Sequence, residues 1–154
     1  IGPVFRTTGD EHDEFGLISE EEDIRREMVD KRLKKLNSLD VSKIGFKLHG
    51  NPEADLTIIG WGSTKGVILE AMDLLKEKGV DAKFLQVIYL NPFPAKQIEE
   101  IIRQSKKVVL VEMNATAGLG SLIREKTGID IENKILKYTG RQFYNEELAE
   151  KLME

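Results

Sequence analysis

From about residue 54 onward, short apolar runs alternate with stretches whose apolar residues recur at helical spacing; before that point the alternation is missing. Residues 56–59, 84–90 and 108–111 read as buried strands, and 134–138 as a fourth, because runs of this length rich in Val, Ile, Leu and Phe suit a sheet covered on both faces. Between them, Val67, Ile68, Ala71, Met72, Leu74 and Leu75 mark a helix that Ser63 or Thr64 is placed to cap and that Lys78-Gly79 ends. Pro94 suits the first position of a second helix with Ile98, Ile101 and Ile102 facing inward, and a third follows over 117–127. Asn145 is placed to cap a terminal helix carrying Leu148 and Leu152, and residues 44–49 offer an edge strand. Strand–helix units of this length close right-handedly, which predicts an α/β fold: a three-layer α/β/α sandwich with its first three main strands parallel.

The first 40 or so residues differ. Gly9, Gly16 and the run Asp10-Glu11-His12-Asp13-Glu14 precede any periodicity and read as an extended arm. A helix over about 20–37 follows, with Ser19 and Glu22 spaced as a capping box and Ile24, Met28, Val29, Leu33 and Leu36 on one apolar stripe. Acids crowd its first turn and bases its last, matching the helix dipole, so the cluster from Lys31 to Lys35 needs no nucleic-acid partner. The expected division is an arm and charged helix over 1–42 and an α/β domain over 43–154. The opening Ile1-Gly2-Pro3, without an initiator methionine, reads as that of a fragment.

Composition narrows the chemistry. With no cysteine, this chain offers no disulfide, no thiolate nucleophile and no cysteine ligand for iron–sulfur or zinc. Two histidines without a repeat spacing do not suggest a metal site, and a net charge of −4 offers no general attraction to nucleic acid or anionic lipid. No run approaches the roughly 20 apolar residues of a membrane span, and no signal peptide is visible, so a cytoplasmic location is expected.

Three loops lie where ligands collect, beyond the carboxyl ends of parallel strands: 60–66, 91–94 and 112–121. The first and third are glycine-rich and open helices, so their amides suit an anion, and Gly62, Ser63, Thr64, Asn114, Gly118 and Gly120 are the candidate cofactor-binding residues. The dinucleotide fingerprint is off by one residue at Gly66 and lacks its ribose-binding acid, and no P-loop occurs. Flavin mononucleotide, with phosphate at Ser63 and Thr64 and a ring under Trp61 or Tyr89, is the stronger rival, making an autonomous flavodoxin-like or nucleotide-binding domain the alternative. Trp61 also reads as a wedge against a neighbouring domain, Glu112 as either a catalytic acid or a cap on its glycine-rich turn, and His12 and His49 as structural or surface residues.

The arm Thr8-Gly9-Asp10-Glu11-His12-Asp13-Glu14-Phe15-Gly16, followed by Arg26, Met28, Lys31, Arg32 and Lys35-Leu36, resembles the interdomain segment of 2-oxoacid:ferredoxin oxidoreductase alpha subunits, above all the 2-oxoglutarate type. Residues 89–94 and 108–121 are similar to the transketolase C-terminal-like domain of the same subunits. The resemblance implies a mostly parallel five-stranded sheet with one antiparallel edge strand, which suits 44–49. It also implies a place in an enzyme that oxidatively decarboxylates a 2-oxoacid to an acyl-coenzyme A and passes electrons through an iron–sulfur cluster to ferredoxin. Thiamine diphosphate and magnesium would belong to that full enzyme, held by an N-terminal domain of the alpha subunit and by a beta subunit. No cofactor or catalytic residue is then expected in this chain, whose role would be assembly, with a contribution to the coenzyme A entrance.

Overall fold

A computed structural model describes residues 8–154. Its elements are α1 (Glu22–Asn37), β1 (Phe46–Gly50), β2 (Leu56–Trp61), α2 (Thr64–Glu77), β3 (Ala82–Val87), α3 (Ala95–Arg103), β4 (Lys107–Glu112), α4 (Gly118–Thr127), β5 (Lys134–Leu136) and α5 (Asn145–Met153). The chain divides into two compact units that part between Asp40 and Val41.

The second unit is the α/β sandwich. Its sheet runs in the order β1-β3-β2-β4-β5, with β1 antiparallel to β3 and every other pairing parallel, as the resemblance implies. Leu56 to Gly60 of β2 are all buried, the continuous apolar run of a strand covered on both faces. Pleating sends neighbours to opposite sides. Phe84, Ile58 and Val109 stand in register across three strands and pack with Ile68, Leu75, Leu148 and Leu152 of α2 and α5. Leu85, Ile59 and Leu110 form the matching row on the other face, under Ile98, Ile102 and Ile123 of α3 and α4. Two cores of fully buried aliphatic and aromatic side chains thus fix the central strands and, with them, the loops at their carboxyl ends.

Local details differ from the sequence expectation. Strand β3 ends at Val87, short of Leu90, because the Ile88 and Tyr89 amides both turn to the Gly45 carbonyl, at 2.9 and 3.0 Å. Neither Ser63 nor Asn145 supplies a side-chain cap: Asn145 is already the first residue of α5. The Thr64 hydroxyl is engaged instead with the Trp61 backbone, donating to its carbonyl at 2.8 Å and accepting from its amide at 3.2 Å. Strand β5 is three residues long, and Lys78-Gly79 closes α2 as expected, Gly79 taking φ +77°.

In the first unit α1 has the expected acids and bases at its ends, but no capping box forms. Ser19 lies two positions before the N-cap residue Glu21 and its hydroxyl accepts that residue's amide at 3.2 Å, an ST turn in place of a cap on the first helical turn. Of the expected apolar stripe only Met28 is buried, while Val29, Leu33 and Leu36 are exposed. Periodicity identified a face without identifying anything that covers it.

Ahead of α1 the chain doubles back into a small hairpin lobe. His12 and Ile18 form an antiparallel bridge, and the Asp13 carboxylate accepts the amides of Phe15 and Leu17, each at 2.9 Å. Gly16, at φ +82°, makes the turn. Glu11 clamps the lobe to α1 through a two-point ion pair with Arg32, at 2.6 and 2.9 Å. The hydrogen bonds from Arg32 lower the Glu11 carboxyl from an ordinary 4.5 to about 2. A carboxyl with a depressed folded-state value stabilises above its unfolded value and loses that contribution as pH falls toward the folded one. The Ser19 amide, bonded to the Glu11 carbonyl, should therefore keep its protection from exchange down to about pH 4.5 and lose it progressively toward about pH 2. An Arg32→Met variant should exchange fast throughout; protection unchanged in that variant would show that the clamp does not hold the lobe.

Candidate functional site

Strands β2 and β4 are neighbours, yet the chain leaves β2 toward β3 on one side and returns to β4 on the other. Their carboxyl ends therefore bound the crevice where the winding reverses, the usual ligand position of an open parallel sheet. A cleft of about 260 Å³ lies there, lined by Trp61, Gly62, Ser63, Thr64, Met113 and Asn114. A second, of about 290 Å³, shares Ser63 and Met113 and continues past Gly66 to Tyr144.

At the end of β4, Glu112 is fully buried. One of its oxygens accepts the Trp61 indole N–H at 3.2 Å, the Asn114 amide at 2.7 Å and the Leu119 backbone N–H at 3.1 Å; the other accepts the Gly120 N–H at 3.1 Å. Each carboxylate oxygen has about two acceptor positions, so three N–H groups crowd Oε2 while Oε1 holds one. Two of those donors are backbone amides at the start of α4, the partly positive end of its dipole. Asn114 extends the arrangement, its side-chain oxygen accepting the Thr116 and Gly118 amides at 3.1 and 3.3 Å. Ala117, which precedes α4, is held at φ +52°, a left-handed conformation that is costly for a residue with a Cβ and that this set of bonds stabilises.

The sequence-predicted residues divide accordingly. Gly62, Ser63, Thr64 and Asn114 border the cleft, whereas Gly118 and Gly120 lie in the first turn of α4, beside Glu112. Gly120 also lets α4 approach β4, since a Cβ there would stand 2.7 Å from Leu110 Cδ2. Glu112 caps its own glycine-rich turn, the second of its two expected roles. The loop after β3, residues 91–94, does not line either cleft; Pro94 packs near Gly45 instead. His49 bonds Gln86 at 2.9 Å and stacks on Phe84, a structural position on β1, and His12 belongs to the hairpin lobe. Two participants went unread in the sequence: Met113 as a shared wall of both clefts, and the indole of Trp61 as a Glu112 donor from 51 positions away. Near the second cleft Lys137 pairs with Glu147 and lies over the Phe143 and Tyr144 rings, at 5.3 and 5.6 Å from their centroids. That hydrogen bond from Lys137 lowers the Glu147 carboxyl.

Chemically the arrangement is a clasp. Thr64 is engaged through its hydroxyl in both directions, and Glu112 is buried and tied to four internal donors, three of them on Oε2. Among the described residues no group of three or more histidines and acids is placed to hold a metal ion, and no helix is long and apolar enough to cross a membrane.

Comparison with known proteins agrees with this fold. Residues 54–147 match the family model described as pyruvate:ferredoxin oxidoreductase core domain II. The chain is 39% identical over 145 residues to 2-oxoacid:ferredoxin oxidoreductase 2, subunit alpha, of Aeropyrum pernix, covering 92% of this chain and 23% of that one. Among solved structures it is similar to the 2-oxoglutarate:ferredoxin oxidoreductase of Magnetococcus marinus, with 2-oxoglutarate, coenzyme A and succinyl-CoA bound: TM-score 0.72 at 30% identity, over 97% of this chain and 26% of that one. A split-gene transketolase shares the fold, with TM-score 0.56 at 19% identity over 75% of this chain and 41% of that one. The chain spans about a quarter of the length of the oxidoreductase relatives it matches. It belongs to the pyruvate:ferredoxin oxidoreductase core domain II family, the transketolase-like domain found in 2-oxoacid:ferredoxin oxidoreductase alpha subunits.

Proposed function

We propose that this chain is a non-catalytic assembly domain of a thiamine-diphosphate-dependent 2-oxoacid:ferredoxin oxidoreductase, an arm and helix over 1–42 joined to an α/β domain over 43–154. The whole enzyme would decarboxylate a 2-oxoacid such as 2-oxoglutarate to its acyl-coenzyme A and pass the electrons to ferredoxin in the cytoplasm; 2-oxoglutarate and succinyl-CoA are what the Magnetococcus relative binds. The observation that carries the non-catalytic reading is Glu112: the acid placed where ligands of such sheets collect is fully buried and tied to four internal donors. Two observations support placing the cofactors elsewhere in the enzyme: the Leu119 and Gly120 amides, which would suit a phosphate, already hold the Glu112 carboxylate, and the chain has no cysteine to ligate a cluster. Thiamine diphosphate, magnesium and the cluster belong on this reading to the alpha subunit's N-terminal domain, the beta subunit and other parts of the enzyme. Gly62, Ser63, Thr64 and Asn114 line a contact surface toward those parts, near the coenzyme A entrance. The flavodoxin-like alternative places a phosphate at Ser63 and Thr64, where the Thr64 hydroxyl is already engaged with the Trp61 backbone in both directions, and no observation favours it.

The test is Glu112→Gln in the complete enzyme. Turnover per intact complex should stay within a factor of about three, with the loss appearing in thermal stability and in the yield of complex. A fall in turnover of about 100-fold or more at unchanged stability would make Glu112 a catalytic acid or base and overturn the reading.

A further inference from the structure

We propose that the hairpin lobe before α1 is a preformed docking element that seats on an apolar surface bordered by lysine and arginine elsewhere in the assembled enzyme. The proposal rests on the assembly reading above. Phe15, Leu17 and Ile18 are 72%, 65% and 56% exposed, three large apolar side chains within four positions. A floppy segment would lose ordering entropy on docking them, but here the backbone is already fixed. Asp13 holds the Phe15 and Leu17 amides, the Asp13 amide donates to the Leu17 carbonyl at 2.9 Å, and Glu11 ties the base of the lobe to Arg32. Beside it lies a cleft of about 420 Å³ with Phe15, Ile24 and Met28 among its apolar lining.

Charge specifies the occupant. Residues 10–23 hold eight carboxylates (Asp10, Glu11, Asp13, Glu14, Glu20, Glu21, Glu22 and Asp23) and no lysine or arginine. Residues 41–154 hold 16 acidic and 16 basic side chains, so the net −4 arises wholly in the first 40, from 11 acids against seven bases. Around the cleft Asp13, Glu14 and Glu27 face a single cation, Lys31. Of the eight, Glu11 and Asp23 carry ion pairs among the described residues. An apolar tip set in carboxylates is complementary to apolar side chains flanked by Lys and Arg. A second copy of the lobe would oppose like charges, and an anionic lipid surface would be repelled.

The experiment places the photoreactive residue p-benzoylphenylalanine at position 15 of the complete alpha subunit, co-expressed with its partner subunits. Attachment is expected at a peptide outside these 154 residues, at an apolar side chain with Lys or Arg close by. The yield should fall several-fold at high salt and in Glu14→Lys. Leu17→Ser should lower it about tenfold or more. Asp13→Ala should lower it too, through loss of the preformed turn, whereas Asp13→Asn, which keeps an accepting oxygen, should retain it. Attachment only within residues 8–154, to a second copy of the lobe or to lipid overturns the proposal, as does co-purification of the subunits with no attachment above that of the isolated chain. Failure of the subunits to co-purify would be the failure of the assembly reading, and would take this inference with it.

Discussion

Glu112→Ala is expected to destabilise the domain by about 3–5 kcal/mol, because it strands buried donors rather than merely removing a contact. The Asn114 amide and the partly exposed Trp61 indole can turn toward water, but the Leu119 and Gly120 amides are fixed in the first turn of α4 under buried residues. For a chain of this size the melting temperature should drop by roughly 10–15 °C. The variant also carries its own control. The atoms removed correspond to acetate, so added acetate should raise the melting temperature of Glu112→Ala by several degrees more than chloride at equal ionic strength, with no such difference in the parent chain. An unchanged melting temperature in Glu112→Ala would mean that the four donors find other partners at no cost, and the clasp would then be incidental to the fold.

Phe84→Ala should cost a similar amount, about 3–5 kcal/mol, for a different reason. Phe84 is wholly buried on β3, in register with Ile58, and its other neighbour is the His49 ring on β1, 5.5 Å away. Removing it opens a cavity between the sheet and the α2–α5 layer and takes away the ring on which the edge strand rests. A urea midpoint shift should report the global loss, and amides of β1 should exchange faster than those of β4. Phe84→Leu, nearly conserving volume, should cost less than about 1.5 kcal/mol. If Phe84→Ala also cost less than that, the site would collapse around the gap and the packed row would not be a rigid unit.

Most of the sandwich was legible in the sequence for reasons specific to particular residues. The run Leu56 to Ile59 suits a strand covered on both faces, Lys78-Gly79 ends α2 through a backbone constraint, and Pro94 marks the start of α3, although as its N-cap rather than its first residue. The direction of β1 was not readable from its own pattern: half-buried and fully exposed positions follow each other irregularly there, and only the family resemblance supplied it. Ser19, Ser63 and Asn145 make no side-chain cap because spacing determines which hydroxyl or amide is near a helix start, while the backbone angles determine what it reaches. Of the site, the capping role of Glu112 was among the expectations, since an acid followed by Asn and glycines at a strand end has amides within reach. Its bond to Trp61 was not, because contact between the ends of β2 and β4 follows from strand order, and strand order depends on how the helices pack.

The brevity of β5 has a consequence for how such a domain is recognised. An edge strand normally offers a row of main-chain donors and acceptors on which any extended peptide can template itself; this edge offers three residues, beginning at a lysine. A partner arriving on that side finds too little backbone to add a strand and has to be selected through side chains, so its fit depends on sequence rather than on mere extension. The same brevity deprives misfolded neighbours of a place to start a growing sheet.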